Sequence, residues 1–224
     1  CRSLGFQGYN EMQIALAKAT AKATPTAAKL EPGADTQLLI THAYNTAVEA
    51  LNGTRNMQDA EAIDRAATLL QRARQVYFFG QGGSQVLAGD IWARFSMLST
   101  KFRTAGDSHM QAITASLMGS EDVILFISYS GCTRDMMDTL HLAKENGAKV
   151  ILVTHYADAP GAVLADVVLL CGAKENPLDS GSVPAKLAML FVANVLVLRY
   201  TLDNQELANL SLSRTSQALG SKLL

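Results

Sequence analysis

The chain has 224 residues, 49% of them hydrophobic but only 6% aromatic, and its formal net charge is −1. It is long enough to bury a sizeable aliphatic core, and a near-neutral charge gives no general attraction to nucleic acid or anionic membranes. The three cysteines, Cys1, Cys132 and Cys171, lack the spacing of metal ligands, and free thiols are typical of a reducing cytoplasm. The longest apolar run, 187–198, has 12 residues, which favours a core helix over a membrane span. We expect a cytoplasmic protein without a metal or other cofactor.

The first 35 residues differ in composition from the rest of the chain. Residues 1–30 carry four lysines or arginines against one acidic residue. Apolar residues at helical spacing in 12–19 predict a single helix, which cannot form a core by itself. Residues 20–36 hold two prolines and four threonines with few large apolar residues, a composition typical of a linker.

The body of the chain begins with two helical patterns, at 36–51 and 57–73. From residue 75 onward, short apolar runs alternate with helical patterns. Strands are predicted at 75–80, 101–105, 122–128, 149–155 and 165–171, and helices at 84–98, 107–118, 132–146 and 184–200, followed by an amphipathic tail at 204–223. Nearly continuous apolar strands that alternate with helices indicate a parallel sheet covered on both faces. The predicted fold class is therefore α/β, a three-layer αβα sandwich around a five-stranded parallel sheet of the flavodoxin-like or Rossmann-like kind.

Two loops at the carboxyl ends of predicted strands are rich in glycine and hydroxyl residues. In parallel sheets, ligands bind at this edge. The loops read "GQGGSQ" at 80–85 and "SYSGCT" at 128–133, and each opens a helix. Glycine lets the backbone approach a ligand closely, hydroxyls add donors, and a helix N-terminus favours an anion. Ordinary capped turns are the alternative interpretation of such loops.

Neither loop has the pattern of a nucleotide site. No Gly-Lys-Ser or Gly-Lys-Thr follows, and Gln85 stands where a dinucleotide fingerprint has its third glycine. Together the two loops predict a site for a small phosphorylated molecule.

The same two loops resemble the sugar isomerase (SIS) domain, whose pattern is G-x-G-x-S followed by S-x-S-G-x-T. The run 106–155 is similar to the effector domain of RpiR-family bacterial transcription regulators. In that family the N-terminal helix-turn-helix domain ends in a phrase like "LGFQGYNEMQIAL", present here at 4–16. The resemblance implies a remnant of that DNA-binding domain at 1–22, a linker at 23–35 and a SIS domain at 36–224.

The resemblance also implies a sugar phosphate as ligand. Its phosphate would be bound by Ser128, Ser130 and Thr133, with the Tyr129 and Gly131 backbone alongside. On the other side of the pocket, the resemblance implies Gly82, Gly83 and Ser84. In the segment that leads into the last long helix and its first turn, Ser180, Ser182 and Lys186 are expected to contact ligand hydroxyls.

SIS domains occur both in isomerases and in sensors that lack catalysis. Isomerisation through an enediol needs a base such as Glu or His. Glu175 and Asp179 lie in the segment where such a base is expected, but they flank a proline, where loop charges are usually solvated. A basic helix tethered by a linker favours a regulator.

We therefore predict a sensor of a sugar phosphate effector, without enzymatic activity, that binds operator DNA through its N-terminal domain. It is expected to form a homodimer or homotetramer through the helices at 36–73 and the tail at 204–223. The alternative is a sugar-phosphate isomerase that acts through an enediol. His155, at the end of the fourth strand, is expected within reach of the ligand.

Overall fold

A computed structural model describes residues 33–172, 181–220 and 222, together with Gly5, Phe6, Met12 and Ala15. The predictions for most of 1–22 and most of the linker, and those for Glu175, Asp179 and Ser180, lie outside the described residues.

Helices and strands alternate through the described part of the chain. Their bounds are α1 Thr36–Met57, α2 Ala60–Arg72, β1 Gln75–Gly80, α3 Gly83–Ser96, β2 Phe102–Thr104, α4 Ser108–Ser116, β3 Asp122–Ile127, α5 Arg134–Glu145, β4 Lys149–Thr154, α6 Pro160–Leu164, β5 Val167–Leu170, α7 Val183–Asp203 and α8 Gln205–Gly220. All five strands pair in parallel, in the order β2-β1-β3-β4-β5. This is the flavodoxin-like order, so the predicted fold class is confirmed.

Two elements depart from the sequence-based prediction. Helix α6 was not predicted, because five residues are too few to show a helical period. Helix α1 continues to Met57 instead of ending at 51, through a glycine that usually weakens a helix. The reason is tertiary: a Cβ on Gly53 would lie 2.9 Å from the carbonyl oxygen of Gly172, so only glycine lets α1 pass this close to the end of β5.

Side chains of the sheet alternate between its two faces and build two cores. Phe78, Leu125 and Ile151 are fully buried against the layer that contains α2, α3 and α7. Phe79 and Phe126 are fully buried on the opposite face against α4 and α5. The strands are therefore covered on both sides, which explains why their sequences are almost continuously apolar.

Helix α7 is the most apolar helix and lies over the first of these cores. By length and composition it is the one helix among the described residues that would be able to cross a membrane. Here Ala188, Val192 and Leu196 are buried in the core that this helix shares with α2 and α3. Its position is that of a core helix, and its amino end lies at the carboxyl edge of the sheet.

The amino edge of the sheet is closed by paired charges. Asp122, at the start of β3, is 1% exposed and accepts hydrogen bonds from Arg74 at 2.7 and 3.2 Å and from the backbone N–H of Gly119 at 2.9 Å. Asp166, just before β5, pairs with two lysines, in α5 and β4. Burial alone would raise the pKa of Asp166, but hydrogen bonds from these lysines and from the Val150 N–H hold that pKa below its usual value.

Candidate functional site

The two glycine- and hydroxyl-rich loops lie side by side at the carboxyl edge of the sheet. Strands β1 and β3 are neighbours in the centre of the sheet, and the chain leaves β1 toward one face and β3 toward the other. Such a point, where the direction of strand order changes, opens a crevice in parallel sheets.

The loop after β1 is shaped by close packing of the backbone. A Cβ on Gly80 would lie 2.5 Å from the carbonyl oxygen of Ser84, so the strand turns directly into α3. Gly82, the N-cap residue of α3, has a φ of +55°, which favours glycine. The Gly80 N–H donates to the side chain of Gln85, and Gln111 donates to the same oxygen. Gln85 is therefore part of the wall beneath the loop.

The loop after β3 is held by hydrogen bonds to its backbone. The Gly131 N–H donates to Oγ of Ser128 at 3.1 Å, and the Gly131 carbonyl accepts from the Gly161 N–H at 2.8 Å. The Tyr129 carbonyl accepts from the Thr154 hydroxyl at 2.9 Å and from a backbone N–H at 3.0 Å. Gly131 has a φ of +59°, and a Cβ there would lie 2.6 Å from Cβ of Ala159.

One side-chain hydrogen bond joins the two loops. The Thr133 hydroxyl donates to Oε1 of Gln81 at 2.8 Å. Thr133 is also the N-cap residue of α5, but its side chain accepts no hydrogen bond from the first turn of that helix.

The two helices that open onto the crevice differ in their N-termini from α1, α2, α4 and α7. Neither α3 nor α5 receives a side-chain hydrogen bond from its N-cap residue. The helices α1, α2, α4 and α7 are each capped by the side chain of their own N-cap residue, namely Asp35, Asp59, Asp107 and Ser182. The first N–H groups of α5 therefore keep their capacity to donate to an anion. At α3, the N–H groups of Ser84 and Gln85 donate to the carbonyls of Gln81 and Gly82, so the contribution of this helix is mainly its positive dipole end.

A cavity of about 350 Å³ lies between these N-termini. The loops after β1 and β3 form two of its walls, and the start of α7 forms the third. Its floor is apolar. Lys186, in the first turn of α7, is the one charged side chain among the described residues that line it. A Cβ on Gly83 would lie 4.0 Å from Nζ of Lys186, so this ammonium group lies beside the start of α3.

A second cavity, of about 160 Å³, lies between the junction of α1 with α2 and the edge strand β5. Its one charged lining residue, Asp59, already caps α2. This smaller cavity has no cation and no free helix N-terminus among its described lining residues, so the larger cavity is the candidate site.

Comparison with known proteins assigns the family. The SIS domain family matches residues 69–199. HexR, an HTH-type transcriptional regulator of Pseudomonas aeruginosa, is 34% identical over 210 residues, which are 90% of this chain and 71% of that protein. The chain belongs to the RpiR family of SIS-domain proteins.

Solved structures agree with this RpiR-family fold. The sugar isomerase domain of the RpiR transcription factor from Sphaerobacter thermophilus is 25% identical, with a TM-score of 0.71 over 81% of this chain and 99% of that one. The NanR protein of Vibrio vulnificus, solved with ManNAc-6P, has a TM-score of 0.86 over 100% of this chain and 79% of that one, at 22% identity. Other structures with this fold are named as isomerases.

Most of the residues predicted from the sequence meet around the cavity of this RpiR-family domain. Those that line it are Gly83, Ser84, Ser128, Tyr129, Ser130, Thr133 and Lys186. Gly82, Gly131 and Ser182 do not line it. Gly82 and Gly131 shape the backbone of the two loops, while Ser182 caps α7.

Sequence reasoning missed Gln81, whose side chain lies between the loops, and the apolar floor formed by Leu87, Phe126, Ile127 and Met189. Gln81 occupies a variable position of the G-x-G-x-S pattern, so the pattern directs attention to its neighbours instead. The floor residues belong to helices and a strand, and their apolar character does not distinguish them from ordinary core.

His155 does not line the cavity. Its ring stacks on Tyr129 with a centroid distance of 4.9 Å and an interplanar angle of 3°. Its Nδ1 lies 2.6 Å from the carbonyl oxygen of Cys171, and a carbonyl only accepts, so this nitrogen carries the proton. His155 thus supports the tyrosine beside the loop.

Proposed function

We propose that this domain is the effector-sensing part of a transcription regulator and binds a sugar phosphate in the larger cavity. The observation that carries the proposal is the convergence of two uncapped helix N-termini and one ammonium group, that of Lys186, on a single cavity. Positive dipole ends and a cation favour an anion, and the hydroxyls of the loop after β3 add donors.

The loop after β3 supports the phosphate half of the proposed site. Ser128, Ser130 and Thr133 hold hydroxyls at the N-terminus of α5, and all three line the cavity. Ser128 uses its oxygen to accept from Gly131, which leaves its hydroxyl proton for a phosphate oxygen. Gly83, Ser84 and Lys186 border the rest of the cavity and would contact the sugar.

The curated relatives and the solved structures support this ligand class. The first relatives, among them RpiR of Escherichia coli, are named HTH-type transcriptional regulators. Two proteins with the same fold were solved with sugar phosphates, one of them the NanR protein with ManNAc-6P and the other a protein of Escherichia coli. In the proposal, residues 1–22 are a remnant of the helix-turn-helix domain, 23–35 a linker and 36–224 the sensing domain.

Assembly and DNA binding complete the proposal. A twofold regulator reads paired half-sites on operator DNA, so we expect a homodimer or homotetramer in the cytoplasm. Large apolar side chains are exposed on α1 and on α8, namely Leu38, Leu39, Ile40 and Tyr44, and Leu207, Leu210 and Leu219. These two helices are the proposed contact surfaces between copies.

The site supports sensing better than isomerisation. An enediol mechanism needs a base close to the sugar carbons, and among the described residues that line the cavity there is no carboxylate and no histidine. The relatives named as regulators point the same way.

A panel of pentose and hexose phosphates, with and without N-acetyl groups, tests the proposal. At least one member should raise the melting temperature of the full chain in a concentration-dependent way, while the matching unphosphorylated sugars should not. No member should be converted to its isomer over hours at high protein concentration. A panel without any thermal response would reject the sensor, and steady isomer formation would establish the enzyme.

A further inference from the structure

The side chain of Gln81 bridges the two loops but is only half satisfied. Its Oε1 accepts from the Thr133 hydroxyl at 2.8 Å. Its Nε2 is buried and has no hydrogen-bond partner among the residues that the structure describes. Gln81 also lines the larger cavity.

A buried amide N–H without a partner is destabilising, and native structures contain few such groups. The terminal torsion of glutamine is broad and roughly twofold. Turning the amide by half a rotation exchanges its oxygen and its nitrogen with little movement of other atoms. Gln81 therefore has two arrangements, which differ in the atom that faces Thr133.

The Thr133 hydroxyl has one proton and two acceptor lone pairs. In the observed arrangement the proton is directed at Gln81, so it is not directed at an anion in the cavity. If Thr133 donated to a phosphate while Oε1 stayed in place, two oxygens would face each other without a hydrogen between them. With the amide turned, Nε2 would donate to the hydroxyl oxygen and the hydroxyl would donate to the phosphate.

We infer that Gln81 is a positioning residue that sets the direction of the Thr133 hydroxyl proton. It accepts this proton in the arrangement that the structure shows, and its amide turns to donate to Thr133 when a phosphate group is bound. The inference rests on the proposed function, since it concerns the phosphate half of the same site. It gives a side chain of the loop after β1 a role at the phosphate, beside the dipole of α3 that begins in the same loop.

The test is a titration of the full chain with inorganic phosphate, at constant ionic strength, followed by thermal shift. Gln81→Met keeps the length of the side chain and removes both polar atoms. It should weaken phosphate binding about threefold to tenfold, as expected for one neutral hydrogen bond. Gln217→Met, the same change on the exposed face of α8, should leave phosphate binding unchanged.

A double-mutant cycle separates this role from a direct contact with the anion. In a Thr133→Val background, Gln81→Met should cause no further loss, because the hydroxyl that Gln81 orients is gone. In a Thr133→Ser background, the threefold to tenfold loss should return. A loss of the same size in the valine background would overturn the role, since the amide would then act on the phosphate itself.

Two further outcomes are distinct. Suppose that wild type responds to phosphate but Gln81→Met binds phosphate as tightly or more tightly. Gln81 then either does not affect binding or only competes with the phosphate for the Thr133 hydroxyl, and the positioning role alone is wrong. If wild type responds neither to inorganic phosphate nor to any sugar phosphate of the panel, the proposed function fails and this role fails with it.

Discussion

The two edges of the sheet differ in how they treat charge and hydrogen-bonding capacity. At the amino edge, Asp122 and Asp166 are each matched by cations and backbone N–H groups. At the carboxyl edge, two helices lack a side-chain cap, Lys186 points its charge at a cavity, and Gln81 leaves an amide nitrogen unpaired. The charges of the amino edge are paired within the chain, whereas the carboxyl edge also holds polar groups that are not paired within the chain.

Because of this difference, residues important for stability and residues important for ligand binding are expected at opposite edges of the same sheet. Groups that pair within the chain stabilise the fold, and their removal should affect unfolding. Groups without an internal partner contribute little to the free energy of unfolding, and their removal should affect the ligand. Mutations at the two edges should therefore have effects of different kinds.

The largest expected effect is on binding, in the double variant Ser130→Ala with Thr133→Ala. Hydrogen bonds to a charged group contribute about 1.5–3 kcal/mol each, so losing two should weaken sugar-phosphate binding by about a hundredfold or more. Thermal-shift titration measures this, and the urea midpoint of the ligand-free protein should stay nearly unchanged.

The control for this double variant is Ser213→Ala with Ser216→Ala on the exposed surface of α8, which should bind like wild type. Undiminished ligand shifts in the Ser130 and Thr133 variant would contradict the phosphate role of the loop after β3.

At the amino edge, Asp122→Ala should lower the free energy of unfolding by about 2 kcal/mol. The change removes a buried acceptor and leaves the Gly119 N–H without its partner. Urea denaturation measures the loss, while the affinity for sugar phosphate should not change.

Asp90→Ala is a suitable comparison, because it breaks an exposed ion pair with Arg94 within one helix and should change stability by less than about 0.5 kcal/mol. If Asp122→Ala were as mild, the amino edge would not be held by its paired charges.

The smallest of the three effects is expected for Lys186→Met. The methionine keeps the apolar stem and removes the charge, so binding of a sugar phosphate should weaken about tenfold, with little change in stability. Isothermal titration of wild type and variant measures the difference. The matched control is Lys222→Met, at the exposed carboxyl end of the chain. If Lys186→Met and wild type bound sugar phosphate equally well, Lys186 would have no role in the site.

Much of the sheet could be predicted from the sequence, because its strands are apolar on both faces and are separated by helices. The two loops could also be placed, since glycines and hydroxyls follow two of these strands directly, although ordinary capped turns use the same residues. The exact boundaries of the loops could not be predicted. The helix predicted to begin at 132 begins at Arg134, because Thr133 has extended backbone and its hydroxyl is directed toward the other loop.

What sequence reasoning missed depends on contacts between distant parts of the chain. Helix α1 passes through Gly53 because Gly172, more than a hundred residues later, packs against it. The meeting of Gln81 with Thr133 likewise follows from the adjacency of β1 and β3, which no local pattern contains. Local periodicity predicts elements, whereas such pairings arise only when the elements assemble.

The close fit of Gly131 has a consequence for signalling. Its N–H and carbonyl are both bonded, and Ala159 lies directly behind its Cα, so the loop after β3 is held in one shape by contacts within the chain. Such preorganisation avoids the loss of conformational entropy that ordering a loop on binding would entail. It also makes this loop a poor switch, because a switch needs a second arrangement of similar energy. In the proposed function, the change that follows ligand binding would therefore lie in the neighbours of this loop, such as the amide of Gln81 and the start of α7.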